Sequence, residues 1–237
     1  MIKKDFLYIG FILLLIAISI GLSCTKGDRD ETSIEKPGSI PGIGEMPGKP
    51  QGEKFTLPNG VKLKGDIVGQ EDGPSSQDCV FDGQGFFVIV KMALQADSSA
   101  TGNTEVEFPA GLVITTASEG FQHGLLVERV VVTVPPIMPG SGGNNCQVSL
   151  MLFCLNSGRK PSDASAKYNL GPVTNSPLLK DFINRLSPKK IAYSAFPPND
   201  DTWKMIEEDL QSVLWHITNG NGLTDNDLEI IKNLPNK

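Results

Sequence analysis

Two hydrophobic periodicities divide the chain. Between about residues 55 and 155, apolar residues come in short runs or alternate with polar ones, the spacing of β-strands. Residues 85–94 read as a buried strand. Residues 104–108 alternate, 111–116 are short and β-branched, 125–134 end at Pro135-Pro136, and 147–155 form a further strand. Asp97-Ser98-Ser99 and Pro139-Gly140-Ser141-Gly142-Gly143 supply turns between them. Asn59-Gly60, between Phe55-Thr56-Leu57 and Val61-Lys62-Leu63, predicts a small hairpin with Pro58 at its edge. The last third changes period. Ser176 caps a helix with Pro177 in its first turn and one apolar face of Leu178, Leu179, Phe182, Ile183 and Leu186. In residues 201–217, Trp203, Ile206, Leu210, Val213, Leu214 and Ile217 fall on one helical stripe, and Gly220 stops it. Thr224 caps a final short helix running to Leu234. The pattern predicts an α+β fold: a β-sandwich or barrel of short antiparallel strands with a C-terminal helical part.

The N-terminal pattern fits neither period. Lys3 and Lys4 precede an almost wholly apolar run from Phe6 to Leu22. This reads as an export signal. Ser23-Cys24 at its end resembles the lipobox of bacterial lipoproteins, which implies lipidation at Cys24 and removal of residues 1–23. The run is also near the lower limit of about 17 residues for a membrane span, so an uncleaved anchor is the competing reading. After Cys24, the charged run Thr25-Lys26-Gly27-Asp28-Arg29-Asp30-Glu31 is similar to surface-export signals of some Gram-negative lipoproteins, or is simply a solvated charge run. Residues 24–54, with Pro37-Gly38, Pro41-Gly42 and Pro47-Gly48, read as a disordered linker. Residues 55–237 then form the folded head. The expected location is a bacterial membrane, outer membrane or cell surface, with membrane lipid as a partner through Cys24.

Composition narrows the head's partners. The formal charge is −6 and no cluster of Lys and Arg interleaves with aromatics, which argues against nucleic acid. Four cysteines leave three after Cys24: Cys79, Cys146 and Cys154. An exported chain can hold disulfides, and an odd count leaves one thiol over. Pairing Cys79 with Cys146 leaves Cys154; pairing Cys79 with Cys154 leaves Cys146.

The chemistry concentrates in two segments. Phe153-Cys154-Leu155 lies in an apolar strand, and Leu210-Gln211-Ser212-Val213-Leu214-Trp215 lies on the strongest helix. Together they resemble the two signature motifs of bacterial thioester domains: an aromatic-or-Leu/Cys/apolar triplet and an apolar-Gln-x-x-apolar-Trp segment. The resemblance covers residues 85–218 at most. It implies that the Cys154 thiol and the Gln211 carboxamide condense into an internal thioester, which then acylates an amine on an unknown protein or surface ligand: adhesion without turnover, and so not an enzyme. The residues themselves suit that chemistry. Apolar neighbours, Phe153 and Leu155 among them, would keep water from a labile bond, and burial suppresses stray thiolate reactivity. On the helical wheel Gln211 borders the apolar stripe and Trp215, at i+4, lies over the same flank as a shield. The competing reading is a non-covalent binding or structural lipoprotein, with Cys154 a buried small hydrophobe and Gln211 solvated.

Other chemistry is thinner. His123 and His216 are the only histidines. A Cys154/His216 dyad would serve a cysteine hydrolase, but no hydrolase signature surrounds Cys154. Asp225-Asn226-Asp227 lacks the Gly and Glu of a calcium loop and reads as an acidic first helical turn. No phosphate loop or dinucleotide fingerprint is present, and no cofactor or metal is expected. Asn156-Ser157-Gly158-Arg159 reads as a turn, with Arg159 near any pocket there.

Overall fold

The computed structural model describes residues 35–71, 73, 78–137, 146–197 and 200–237. The signal segment, Cys24, the charged run after it and the turn cluster at residues 139–143 lie outside the described residues. Among the described residues no helix is long and apolar enough to cross a membrane.

The fold is α+β. Among the described residues, eleven strands are β1 (Gly52–Lys54), β2 (Val61–Leu63), β3 (Ile67–Gly69), β4 (Asp78–Gly83), β5 (Val88–Ala96), β6 (Thr104–Phe108), β7 (Leu112–Thr116), β8 (Gly124–Leu125), β9 (Val130–Val134), β10 (Cys146–Cys154) and β11 (Lys167–Thr174). Three helices follow: α1 (Pro177–Leu186), α2 (Asp201–Thr218) and α3 (Asp225–Asn233). Six strands close a barrel in the order β5-β3-β11-β7-β8-β10, with β10 pairing back onto β5. Every pair around that ring is antiparallel. Closure satisfies backbone groups that an open sheet would leave at its edges. Strand β2 extends β5, β1 extends β11, and β4 joins β10 in parallel.

Strand alternation sorts side chains into two cores. Val88, Val90, Met92 and Leu94 of β5 and Val148, Leu150, Leu152 and Cys154 of β10 point into one core. The ribbon β6–β9 adds Val106, Phe108, Val130, Val132 and Val134 to it. Phe153 and Leu155 point the other way. They join Val113 and Leu125 under Leu179, Phe182, Leu210, Val213, Leu214 and Ile217 of the helices. Phe153 meets Phe182 edge-on, ring centres 6.3 Å apart. The helices thus cover the outer face of the β7-β8-β10 side. Their boundaries follow their caps: the Ser176 hydroxyl accepts from Leu179 N–H, Asp200 from Thr202 N–H, and Thr224 and Asp227 form a capping box.

Three expectations need correction. The Asn59-Gly60 turn forms, with Gly60 at φ +87°, but β2 leaves it to pair with residues 94–96 of β5 and not with Phe55-Thr56-Leu57. The long apolar segment 125–134 is two strands, β8 and β9, in different sheets. The linker is not disordered from residue 35 onward. Ile40 and Ile43 are buried among the helices. Its three Pro-Gly pairs are fixed turns, each Gly at positive φ, where proline presets the residue before it. This strap is held by Gly38 N–H on the Ile217 carbonyl and Gly44 N–H on the Leu155 carbonyl. Gly44 passes so close to α2 that a Cβ there would sit 2.1 Å from the Thr218 oxygen. The folded head therefore includes the residues from Glu35 onward, and not only those from Phe55.

Candidate functional site

Cys154 is the last residue of β10, and its neighbour in the ladder is Gly124 of β8. Cys146, at the other end of the same strand, is in a disulfide with Cys79 on β4. Cys154 is free and fully buried. Of the two pairings open from the sequence, the structure holds the one that leaves this thiol.

Gln211 comes from the middle of α2 and meets Cys154 directly. Its Oε1 accepts from the Cys154 backbone N–H at 2.7 Å, and its Nε2 donates to the Cys154 carbonyl at 2.9 Å. The carboxamide thus lies along the Cys154 backbone. Gln211 is only 1% exposed, deeper than the flank position read from the helical wheel. A buried amide must find partners, and here both come from one residue.

Burial pushes the Cys154 thiol up to about 11, opposed by the Asn156 N–H, which reaches the sulfur at 3.2 Å, and by the indole of Trp215. The Trp215 Nε1–H makes no hydrogen bond of ordinary geometry, so its hold on the sulfur is a loose one. Phe87 packs on Trp215, ring centres 5.6 Å apart. It also lines an outer groove of about 260 Å³ with Gln70, Glu71, Phe86, Ile89, Pro161 and Ser162. Gly85 permits this cover. A Cβ there would meet the Leu152 carbonyl carbon at 2.1 Å, so only glycine lets the chain cross β10 this closely.

Two other polar residues complete the surroundings. Asn156 is buried; its side chain accepts from His123 N–H and donates to the Gly44 carbonyl, fixing the exit from β10 to the strap. Glu207 is 1% exposed and precedes Gln211 by one helical turn. Its Oε1 accepts from Phe86 N–H at 3.1 Å. Burial raises its carboxyl to about 7, and its charge in turn raises the Cys154 thiol.

The remaining sequence candidates separate cleanly. Trp215 lies beside Cys154. Phe153 and Leu155 do not line the thiol's side of the strand, because adjacent strand residues face opposite ways; the dry wall is Leu152, Leu150 and their barrel neighbours instead. His216 is half-exposed and bonded to Asp227 at 2.9 Å, and it makes no hydrogen bond to Cys154. His123 receives the Thr116 N–H on Nδ1, and burial, with Arg159 adding to it, lowers its pKa to about 4. It is therefore neutral, with its proton on Nε2. Asp227 is the capping-box residue of α3. Glu207 escaped the sequence reading, and Asn156 was read only as part of a turn. The four-residue spacing of Glu207, Gln211 and Trp215 along one helical ridge was the signal for the first; nothing local marked the second.

No family model, curated protein or solved structure matches this chain.

Proposed function

We propose that this protein is a surface lipoprotein, anchored through Cys24, whose barrel head forms an internal thioester between Cys154 and Gln211 for one-time covalent attachment to an amine on a partner. The observation that carries the reading is the reciprocal pairing of the Gln211 carboxamide with the Cys154 backbone. In the condensation the Cys154 sulfur attacks the Gln211 carbonyl carbon. A C–S bond forms, the C–N bond breaks, and the thiol proton leaves with the nitrogen as ammonia. The Cys154 N–H already donates to the carbonyl oxygen, where negative charge gathers in the tetrahedral intermediate. The leaving nitrogen is already oriented by the Cys154 carbonyl. An incoming amine then attacks the same carbon, forms an amide with Gln211 and returns the proton to sulfur.

Intact mass spectrometry tests this. The protein should be lighter by one ammonia than its sequence with one disulfide. The deficit should vanish in Cys154→Ala, and methylamine should label Gln211. A full mass under native, nucleophile-free conditions would overturn the proposal. A second reading is favoured by the same amide: with both its oxygen and nitrogen satisfied, Gln211 serves as a tie between α2 and β10 in a non-covalent binding or structural lipoprotein. That reading requires the full mass.

A further inference from the structure

We propose that Glu207 is the proton-relay group for acyl exchange at the Gln211 carbonyl; the inference rests on the thioester reading. Three observations support it. Glu207, Gln211 and Trp215 are spaced by four residues, so their side chains stack along one ridge of α2. Glu207 is buried, although carboxylates are almost never fully buried without an ionic partner. Among the described residues it has no ion pair, and its only hydrogen bond is the one that Oε1 accepts from Phe86 N–H. Oε2 has no hydrogen-bond partner among the described residues, on a carboxyl whose charge the Cys154 thiol feels.

A structural role accounts for Oε1, which ties the Gly85-Phe86-Phe87 crossing to α2. It does not account for the choice of a carboxyl, since a glutamine would accept the same hydrogen bond without the cost of burying an ionisable group. Acyl exchange supplies a reason. The incoming amine must lose a proton as its nitrogen bonds to the Gln211 carbon, and the sulfur must gain one as the C–S bond breaks. Glu207 takes the first and delivers the second, so the carboxyl ends as it began. Thioester formation uses the same relay in the other direction, with the thiol proton passed to the departing ammonia. Burial poises the carboxyl near neutrality, where it can both accept and give a proton.

The test measures methylamine labelling of Gln211 in the full chain, with rates expressed per unprotonated amine. In the wild type the rate should rise with pH through about 7 and then level. Glu207→Gln, which keeps an acceptor for Phe86 N–H, should slow labelling about 100-fold or more and flatten the profile. Glu207→Leu should match it in rate. Equal rates in wild type and Glu207→Gln, or a defect in Glu207→Leu that Glu207→Gln restores, would overturn the relay and leave a structural hydrogen bond. If Glu207→Gln does not fold, the wild-type profile decides: a flat rate overturns the relay. No labelling of the wild type would remove the thioester itself, an outcome distinct from failure of the relay alone.

Discussion

Strand β10 carries a cysteine at each end, and the two have opposite fates. Cys146 is tied to Cys79, which is exposed on the neighbouring strand β4. Cys154 is free, buried, and overlaid by a carboxamide and an indole. The same residue type on the same strand thus does different work, and the difference lies wholly in what the fold sets beside it. At one end another thiol makes a cross-link. At the other, the described residues set no second thiol beside it, only a helix that presents Glu207, Gln211 and Trp215.

Four perturbations sharpen or break that contrast. The largest effect should come from the cross-linked end. Cys79→Ser with Cys146→Ser releases a loop spanning a sequence separation of 67 residues. It should cost about 4 kcal/mol in urea unfolding while leaving any mass deficit at Cys154 in place. A deficit lost with the disulfide would mean that the two ends are not independent.

At the other end, Gln211→Ala should strand the Cys154 N–H and carbonyl in a buried site. The cost expected is about 3 kcal/mol, from two unsatisfied backbone groups, read by urea midpoint. A change below about 0.5 kcal/mol would show that water reaches Cys154, and no thioester would persist there.

The buried end should also carry the pH dependence. Glu207 has its carboxyl raised from 4.5 to about 7, so the folded state holds an extra proton across that window and loses stability as pH rises through it. His123, lowered from 6.5 to about 4, acts in the opposite sense and loses stability as pH falls. The two oppose each other between about pH 4.5 and 6.5. Glu207→Gln should unmask His123. It should match wild type below pH 4.5 and exceed it at pH 8 by up to about 3 kcal/mol, measured by urea melts at both pH values.

The smallest effect should come from the middle of the strand. Ser149 is buried and donates to Gln70 Oε1 at 3.0 Å. Ser149→Ala should cost about 1 kcal/mol and change neither the disulfide nor the mass of the Cys154 site.

Much of this contrast was legible in the sequence, and unevenly so. Residues 104–108 alternate because one face of β6 is buried, and the structure has that strand with the same bounds. The stripe from Trp203 to Ile217 marked α2 equally well, since a helix covering a sheet must be amphipathic. Strand β11 was invisible. It contains Gly171-Pro172, poor strand formers, and it is a strand because β3, β7 and β1 pair with it from far away in sequence. Barrel closure was undecided for the same reason. In the site, Cys154 and Gln211 were legible because motif and period agreed. Glu207 was not, because a carboxylate on a helical wheel reads as solvent-facing; its burial depends on Phe86, over a hundred positions earlier. The Pro-Gly strap misled because the same dipeptide serves a loose spacer and a fixed turn, and only Ile40 and Ile43 distinguish the two.

That strap has a mechanical consequence. Gly38 holds α2 near its C-terminal end at Ile217, and Gly44 is bonded to both Leu155 and Asn156 just past β10. A target joined to Gln211 and pulled against the N-terminus would load α2 first, and the tension would cross to the strap at the Gly38–Ile217 bond. The barrel would be bypassed until that bond and the Glu35–Ser176 bond beside it had opened. These few hydrogen bonds would yield first, as a fuse does, and the β-ladders of the barrel would take up the strain only afterwards.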